Sequence, residues 1–286
     1  MRAMLRIFGS VLMVFAVNLT VMAADTSPHR SGLVKANGVR LHYLEWSGGK
    51  RGVLLMLAGL GNDAHIFDSF AGRFTDQYRV LALTRRGYGE SDKPRTGYDV
   101  NTRVEDVHRF LDVLGITKVT LIGHSVAGDE LTAFASAYPA RVDKVVYLDA
   151  AYDRSKTEAL IVDDPALKFL PNGGQPPRDD AIRARILKGS SAFHPDYRGI
   201  RAPALAFYAI PRMHPAFRAA PTAEDLRRMN AWWIAKGIPH IRANIGQFRR
   251  EARGGHIVEM GYADHFLFLR SSQGEVVRRT REFLLR

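Results

Sequence analysis

The sequence predicts an α/β fold, in which a mostly parallel central sheet is flanked by helices on both faces. Residues 52–58 (GVLLMLA) form a short, continuously apolar segment, as expected of a strand covered on both faces. Residues 101–114 instead repeat apolar side chains at helical spacing. Because strand-like and helix-like segments of these kinds alternate along the chain, we expect parallel βαβ units rather than a sandwich or a bundle.

The first predicted elements precede residue 100. Residues 32–36 and 40–46 are strand-like and are separated by Asn37-Gly38, a pair that tolerates positive φ and favours a hairpin. The apolar strand 52–58 follows. Residues 65–74 are predicted to be helical, and residues 78–84 (YRVLALT) form the next strand.

The alternation continues through the middle of the chain. The helix at 101–114 should end at Gly115, a typical residue beyond a helix C-terminus. A strand at 118–122, a helix at 126–137 and a strand at 142–148 follow.

The pattern is then interrupted. Residues 153–201 are rich in proline and glycine, and we interpret them as a cap-like insertion over the sheet, not as a second domain. The sheet resumes at 203–209. Residues 222–253 are predicted to be mainly helical, with a break at Pro239. A last strand at 256–260 (HIVEM) and a helix at 274–285 complete the domain, which spans residues 32–286.

The N-terminal residues 1–23 have the order of a secretory signal peptide. Arg2 and Arg6 precede an apolar run at 7–21, and small residues end at Ala23, where we expect cleavage. The apolar run is shorter than the roughly 20 residues that span a bilayer, so we expect no stable membrane anchor, although retention remains the alternative. The prediction is export to the periplasm or the exterior, with residues 24–31 as a flexible lead-in.

Composition excludes several classes of function. The 286 residues include no cysteine, so disulfides, thiol nucleophiles and cysteine-ligated zinc are absent. The formal net charge is +12, but arginines such as Arg85, Arg86 and Arg103 are scattered and often accompanied by acidic residues. We therefore interpret the charge as a solvated surface and expect no nucleic-acid binding.

Ser125 lies in the segment Gly123-His124-Ser125-Val126-Ala127, between a predicted strand and a predicted helix. A serine in such a turn has a strained backbone and small neighbours, and its hydroxyl points into a cleft at the start of the helix. Ala127 replaces the glycine that is commoner at its position, which adds only a methyl group. We predict that Ser125 is a nucleophile.

A serine needs a base to be nucleophilic at neutral pH. His265 follows the last predicted strand by a short loop and precedes the final helix, so it should lie at the same edge of the sheet as Ser125. This position also fits the chain order of nucleophile, acid and histidine. His265 is therefore the predicted base.

Four passages in this order and spacing resemble the α/β-hydrolase fold superfamily: LMLAGLGND (55–63), LTRRGYGESDKP (83–94), LIGHSVAGDEL (121–131) and GYADHFLFL (261–269). The resemblance covers nearly all of the chain after the Asn37-Gly38 turn. It is strongest to single-domain proteins of the esterase-like and perhydrolase-like group.

The resemblance implies an oxyanion hole made of two backbone amides, those of Val126 and Leu60. Such preset donors are each worth roughly 3 kcal/mol of barrier. The family often has His-Gly where this chain has Ala58-Gly59, so a supporting side chain is missing here. The amide donor does not depend on that side chain.

The acid is less clearly marked. The family most often places an aspartate just after the strand that corresponds to 203–209, where residues 210–214 of this chain contain no carboxylate. Some members carry the acid at the end of the preceding strand, which implies Asp149 here. Asp153 is one alternative, and a site without an acid is a second.

These residues predict hydrolysis of a small-molecule ester through an acyl-enzyme, with no metal or organic cofactor. A serine at position 125 argues against epoxide-hydrolase and dehalogenase chemistry, which use an aspartate there. Two alternatives stay open. One is perhydrolysis or amide cleavage by the same residues, and the other is a hydrolase-fold binding protein without turnover.

Overall fold

A computed structural model of the protein describes residues 28–161, 164–167, 181–214, 217 and 220–286. The predicted signal peptide (1–23) and residues 24–27 of the predicted lead-in lie outside the described residues. The first strand begins at Arg30, so the last two residues of that lead-in belong to the sheet.

The described chain contains one eight-stranded sheet in the order β1-β2-β4-β3-β5-β6-β7-β8. The strands are β1 (Arg30–Ala36), β2 (Val39–Trp46), β3 (Val53–Leu57), β4 (Arg79–Leu83), β5 (Val119–His124), β6 (Val142–Leu148), β7 (Ala204–Ala209) and β8 (His256–Met260). The β1–β2 and β2–β4 pairs are antiparallel, and every other pair is parallel. The predicted fold class is confirmed.

Helices cover both faces of the sheet. They are α1 (Asp68–Ala71), α2 (Val100–Val113), α3 (Ala127–Ala137), α4 (Arg154–Ile161), α5 (Ala181–Ser191), α6 (Ala223–Trp232), α7 (Ile238–Glu251) and α8 (Gln273–Leu285). One buried apolar cluster joins the sheet to α2, α3 and α7, with Phe110, Phe134 and Phe248 among its members. A second cluster joins the opposite face to α1 and α8, through residues such as Phe70 and Leu284.

Two predicted helices differ in detail. Residues 65–74 form α1 between two 3₁₀ turns, Ala64–Phe67 and Gly72–Phe74. Pro239 does not break the helical segment as predicted. Instead, the wider turn of a π-helix at Trp233–Gly237 connects α6 to α7, and Pro239 lies in the first turn of α7, where its missing N–H is tolerated.

Within the predicted insertion, α4 and α5 contact each other, and α5 also contacts α2. Ile186 of α5 packs in a small buried cluster with Tyr98 and Val126, directly beside Ser125. The described part of the insertion therefore reaches the residues that follow the predicted nucleophile.

Three arginines that the sequence analysis assigned to a solvated surface are buried. Arg85, Arg86 and Arg103 are each less than a tenth exposed. Arg85 and Arg103 both pair with Glu130, and Arg86 pairs with Asp106. The assignment is wrong for these three because a carboxylate within hydrogen-bonding distance offsets the cost of removing each guanidinium from water.

In the described ranges, no helix is both long enough and apolar enough to cross a bilayer.

Candidate active site

The carboxyl ends of β5 and β6 bring two of the predicted site residues side by side. In the parallel pairing of these strands, His124 is opposite Leu148, so Ser125 and Asp149 are the next residues on neighbouring strands. The Ser125 amide donates a hydrogen bond to the Leu148 carbonyl at 3.3 Å. The two side chains therefore leave the sheet at the same edge.

Ser125 has a φ of 54°, in the left-handed region that non-glycine residues rarely adopt. Small neighbours make this turn possible. A Cβ atom at Gly123 would lie 2.6 Å from a methyl carbon of Leu131 and 3.2 Å from the Ala127 Cβ. Position 123 therefore has no room for a side chain, and the left-handed Ser125 agrees with the strained turn that the sequence predicts.

Asp149 contacts His265. The distance from its Oδ2 to His265 Nδ1 is 2.6 Å. Asp149 is buried, whereas the His265 side chain is 42% exposed. Because an ionised carboxylate can only accept, Nδ1 carries the hydrogen in this pair, and Nε2 keeps its lone pair.

The other carboxylate oxygen of Asp149 is also held. Oδ1 accepts hydrogen bonds from the Tyr152 hydroxyl at 2.6 Å and from the Ala209 amide at 3.0 Å. Three donors therefore fix the carboxylate, and the proton that Tyr152 donates is retained because burial and the adjacent carboxylate raise the pKa of Tyr152 far above its ordinary value.

Asp153 has a different environment. Its Oδ1 accepts from the amide and hydroxyl of Ser155 at 3.2 and 2.5 Å, and its Oδ2 lies 2.8 Å from Lys156 Nζ. These are contacts of a residue that caps α4. The structure thus brings His265 to Asp149 and not to Asp153.

His124, the residue before Ser125, is a site residue that the sequence analysis did not single out. Its Nε2 donates to the His265 carbonyl oxygen at 2.9 Å, and the two ring centroids are 4.5 Å apart. Burial and the proximity of His265 hold the pKa of His124 well below its ordinary value, so the ring is neutral. His124 fixes the backbone that carries His265.

The loop after β3 packs directly on the serine turn. A Cβ at Gly59 would lie 2.6 Å from His124 Nδ1 and 3.1 Å from Ser125 Cβ, so only glycine allows this approach. Among the hydrogen bonds of the described chain, neither the Leu60 amide nor the Val126 amide is a donor. Because Leu60 follows Gly59 and Val126 follows Ser125, both predicted oxyanion donors lie where this loop meets the serine turn.

Arg85 supports this loop, a role that its assignment to a solvated surface did not predict. Its Nη2 donates to the Ala58 carbonyl at 3.0 Å, and its Nε donates to Glu130 at 2.7 Å. Two consecutive acidic residues, Asp129 and Glu130, follow the serine motif in an otherwise apolar helix. Two charged residues in an apolar helix were the sequence signal that buried arginines would pair with them.

No cluster of histidine, aspartate and glutamate suited to a metal ion occurs among the residues that the structure describes.

Comparison with known proteins supports the assignment of the fold. Residues 52–198, just over half of the chain, match the family model described as the alpha/beta hydrolase fold. The chain belongs to this family.

Similar sequences in curated proteins carry several hydrolase names. The chain is 33% identical to human Epoxide hydrolase 4 over 132 residues, which are 45% of this chain and 36% of that protein. It is 28% identical to 2-(acetamidomethylene)succinate hydrolase of Mesorhizobium japonicum over 183 residues, 63% of this chain and 58% of that protein. The matches thus span less than two thirds of each relative's length.

Solved structures share the architecture over most of the chain. A bacterial membrane phospholipase A superposes with a TM-score of 0.65 at 20% identity, covering 90% of this chain and 86% of that one. E-2-(acetamidomethylene)succinate hydrolase superposes with a TM-score of 0.62 at 20% identity, covering 91% of this chain and 100% of that one. At such identities the likeness concerns the fold. Together, the comparisons identify a hydrolase fold and leave the substrate open.

Proposed function

We propose that the protein is a serine hydrolase that cleaves a carboxylic ester, or a related acyl bond, of a small molecule. The observation that carries this proposal is the 2.6 Å contact between Asp149 and His265, at the sheet edge where Ser125 occupies its strained turn. A serine, a buried carboxylate and a partly exposed histidine, in this order along the chain, are the groups that acyl transfer requires.

In the proposed mechanism, Asp149 keeps His265 in the tautomer whose Nε2 can accept a proton. Nε2 takes the proton of the Ser125 hydroxyl as its oxygen attacks the substrate carbonyl. The negative charge that develops on the carbonyl oxygen is stabilised by the amides of Val126 and Leu60. His265 returns the proton to the leaving group, and water then repeats the sequence on the acyl-enzyme.

Residue 125 also separates this proposal from the epoxide hydrolases among the similar sequences. Epoxide opening in this fold uses an aspartate at the nucleophile position, which forms an alkyl ester. A serine alkoxide is suited to attack on an acyl carbon. We therefore infer acyl chemistry, although the name of one relative refers to epoxides.

The proposal is tested with a chain-length series of p-nitrophenyl esters, comparing the wild type with Ser125→Ala. We expect turnover by the wild type and loss of about 10⁵- to 10⁶-fold in kcat in the variant, because the nucleophile is removed. A fluorophosphonate probe should add its phosphonyl mass to the wild type and not to Ser125→Ala. If the wild type neither turns over any ester nor reacts with the probe, the hydrolase proposal is wrong and a binding role takes its place.

A further inference from the structure

A buried ionic network lies beside the proposed site. Glu130 accepts hydrogen bonds from Arg85 at 2.7 Å and from Arg103 at 2.6 Å. Next along α3, Asp129 lies 3.5 Å from the Nε of Arg154. Asp129 and Glu130 are the fourth and fifth residues after Ser125, so this network starts one helical turn from the proposed nucleophile.

Arg154 joins the network from the segment of the chain that follows Asp149. It is the first residue of α4, and its guanidinium carbon lies 5.9 Å from the centroid of the Tyr152 ring. The Tyr152 hydroxyl in turn donates to Asp149. The charge of Arg154 is also close enough to His124 to contribute to the lowered pKa of that ring. Arg154 therefore lies next to both strand ends that carry the proposed site.

The charges of this network do not balance. Three guanidinium groups (Arg85, Arg103 and Arg154) face two carboxylates, Asp129 and Glu130. Burial raises the pKa of Asp129 to about 6, so its negative charge is itself weakened in the folded protein. The network itself therefore carries a net positive charge, and Asp149, a further carboxylate beyond Tyr152, is already held by Tyr152, Ala209 and His265.

The hydrogen-bond donors of Arg154 show where an anion would bind. Its Nε and Nη2 are buried and have no hydrogen-bond partner, although Nε lies 3.5 Å from Asp129 Oδ2. Buried N–H groups are nearly always paired in folded proteins. The side chain as a whole is 16% exposed, so part of it reaches the surface although Nε and Nη2 are covered.

We propose that Arg154 binds a free carboxylate of the substrate, so that the natural substrate is an ester, lactone or amide that also carries a carboxylate. The planar guanidinium presents two parallel N–H groups, which match the two oxygens of a carboxylate. A single negative charge neutralises the excess charge of the network. This inference rests on the proposed acyl-transfer function and specifies its substrate class.

The test uses two substrates that differ by one charge: mono-4-nitrophenyl glutarate and its neutral methyl ester. In the wild type we expect kcat/KM to favour the acid. In Arg154→Met this preference should fall by about 10- to 100-fold, the range for a hydrogen bond to a charged group, with the larger loss of kcat/KM on the acid. Arg154→Lys should keep part of the preference, because it retains the charge without the planar donors.

Lys156 supplies the matched control. It is an exposed cation two residues further along α4, paired with Asp153 at its surface, so Lys156→Met should preserve the preference for the acid. Equal loss on both substrates in Arg154→Met, or an equal effect of Lys156→Met, would overturn the carboxylate assignment while leaving the hydrolase intact.

A binding measurement separates this inference from the proposed function. In the Ser125→Ala background, which does not turn over, monomethyl glutarate should bind more tightly than dimethyl glutarate by calorimetry, and Arg154→Met should abolish the difference. That result would support the carboxylate site even if no ester were hydrolysed. Equal affinity for the two ligands would refute it even in an active hydrolase.

Discussion

Replacing Asp149 with asparagine changes one atom of the proposed site, and the structure determines which one. Oδ1 accepts from the Tyr152 hydroxyl and the Ala209 amide, so in the variant that position is taken by the side-chain carbonyl oxygen. The amide nitrogen must then take the place of Oδ2, facing His265 Nδ1. Two donors cannot face each other at 2.6 Å, so the imidazole hydrogen moves from Nδ1 to Nε2.

The size of the effect follows from this change of tautomer. With a hydrogen on Nε2, His265 has no lone pair with which to accept the proton of Ser125. A wrong tautomer in a Ser-His-Asp triad lowers kcat by about 10⁴, which corresponds to about 5 kcal/mol of barrier. We expect a loss of this size in Asp149→Asn, with little change in KM, because the carboxylate contacts His265 and not the region assigned to the substrate.

The assay is hydrolysis of the best p-nitrophenyl ester at saturating concentration, with Asp153→Asn as the matched control. Asp153 is a nearby carboxylate whose contacts are with Ser155 and Lys156, so its variant should keep kcat within a factor of about three. The reasoning would be refuted if Asp149→Asn retained more than a tenth of the wild-type kcat. It would also fail if Asp153→Asn lost as much activity as Asp149→Asn.

Two further predictions concern stability, measured by urea unfolding. The neutral, buried His124 takes up a proton only on unfolding as the pH falls below 6.5, so acidification destabilises the fold. The stability difference between wild type and His124→Gln should therefore fall by about 1 kcal/mol from pH 7.0 to pH 5.5, since other histidines contribute equally to both; a constant difference would contradict this. Glu130→Gln leaves Arg85 and Arg103 without a buried counterion and should cost about 3 kcal/mol. The exposed Glu224→Gln should cost less than about 0.5 kcal/mol, and a similar loss in both variants would argue against the buried network.

The sheet could be predicted from the sequence because burial on both faces leaves a local signal. Strands that helices cover are apolar throughout, and the turns between them contain glycine or Asn-Gly. The predicted bounds of β6 and β8 agree with the structure, and those of β1 differ by two residues. Ser125 was predictable for the same reason, since its strained turn requires small residues within two positions along the chain.

The partner of His265 was not predictable to the same degree. Asp149 and His265 are 116 residues apart, and the sequence alone could not choose between Asp149 and Asp153. The choice depends on which carboxylate the loop after β8 meets, a tertiary contact with no local pattern. The burial of the arginines was not predictable for the same reason. The carboxylate that offsets the desolvation of Arg85 lies 45 residues away along the chain, on another element.

The position of Asp149 also accounts for the missing carboxylate after β7. Although the residue belongs to the end of β6, its Oδ1 accepts from the amide of Ala209, the last residue of β7. The carboxylate therefore occupies the space at the carboxyl end of the neighbouring strand, where an aspartate following β7 would otherwise place its own. A second ionised group at that point would repel the first. The proposed chemistry therefore constrains where the negative charge lies relative to His265 and not which strand supplies it. An acid at the end of β6 consequently excludes one at the end of β7.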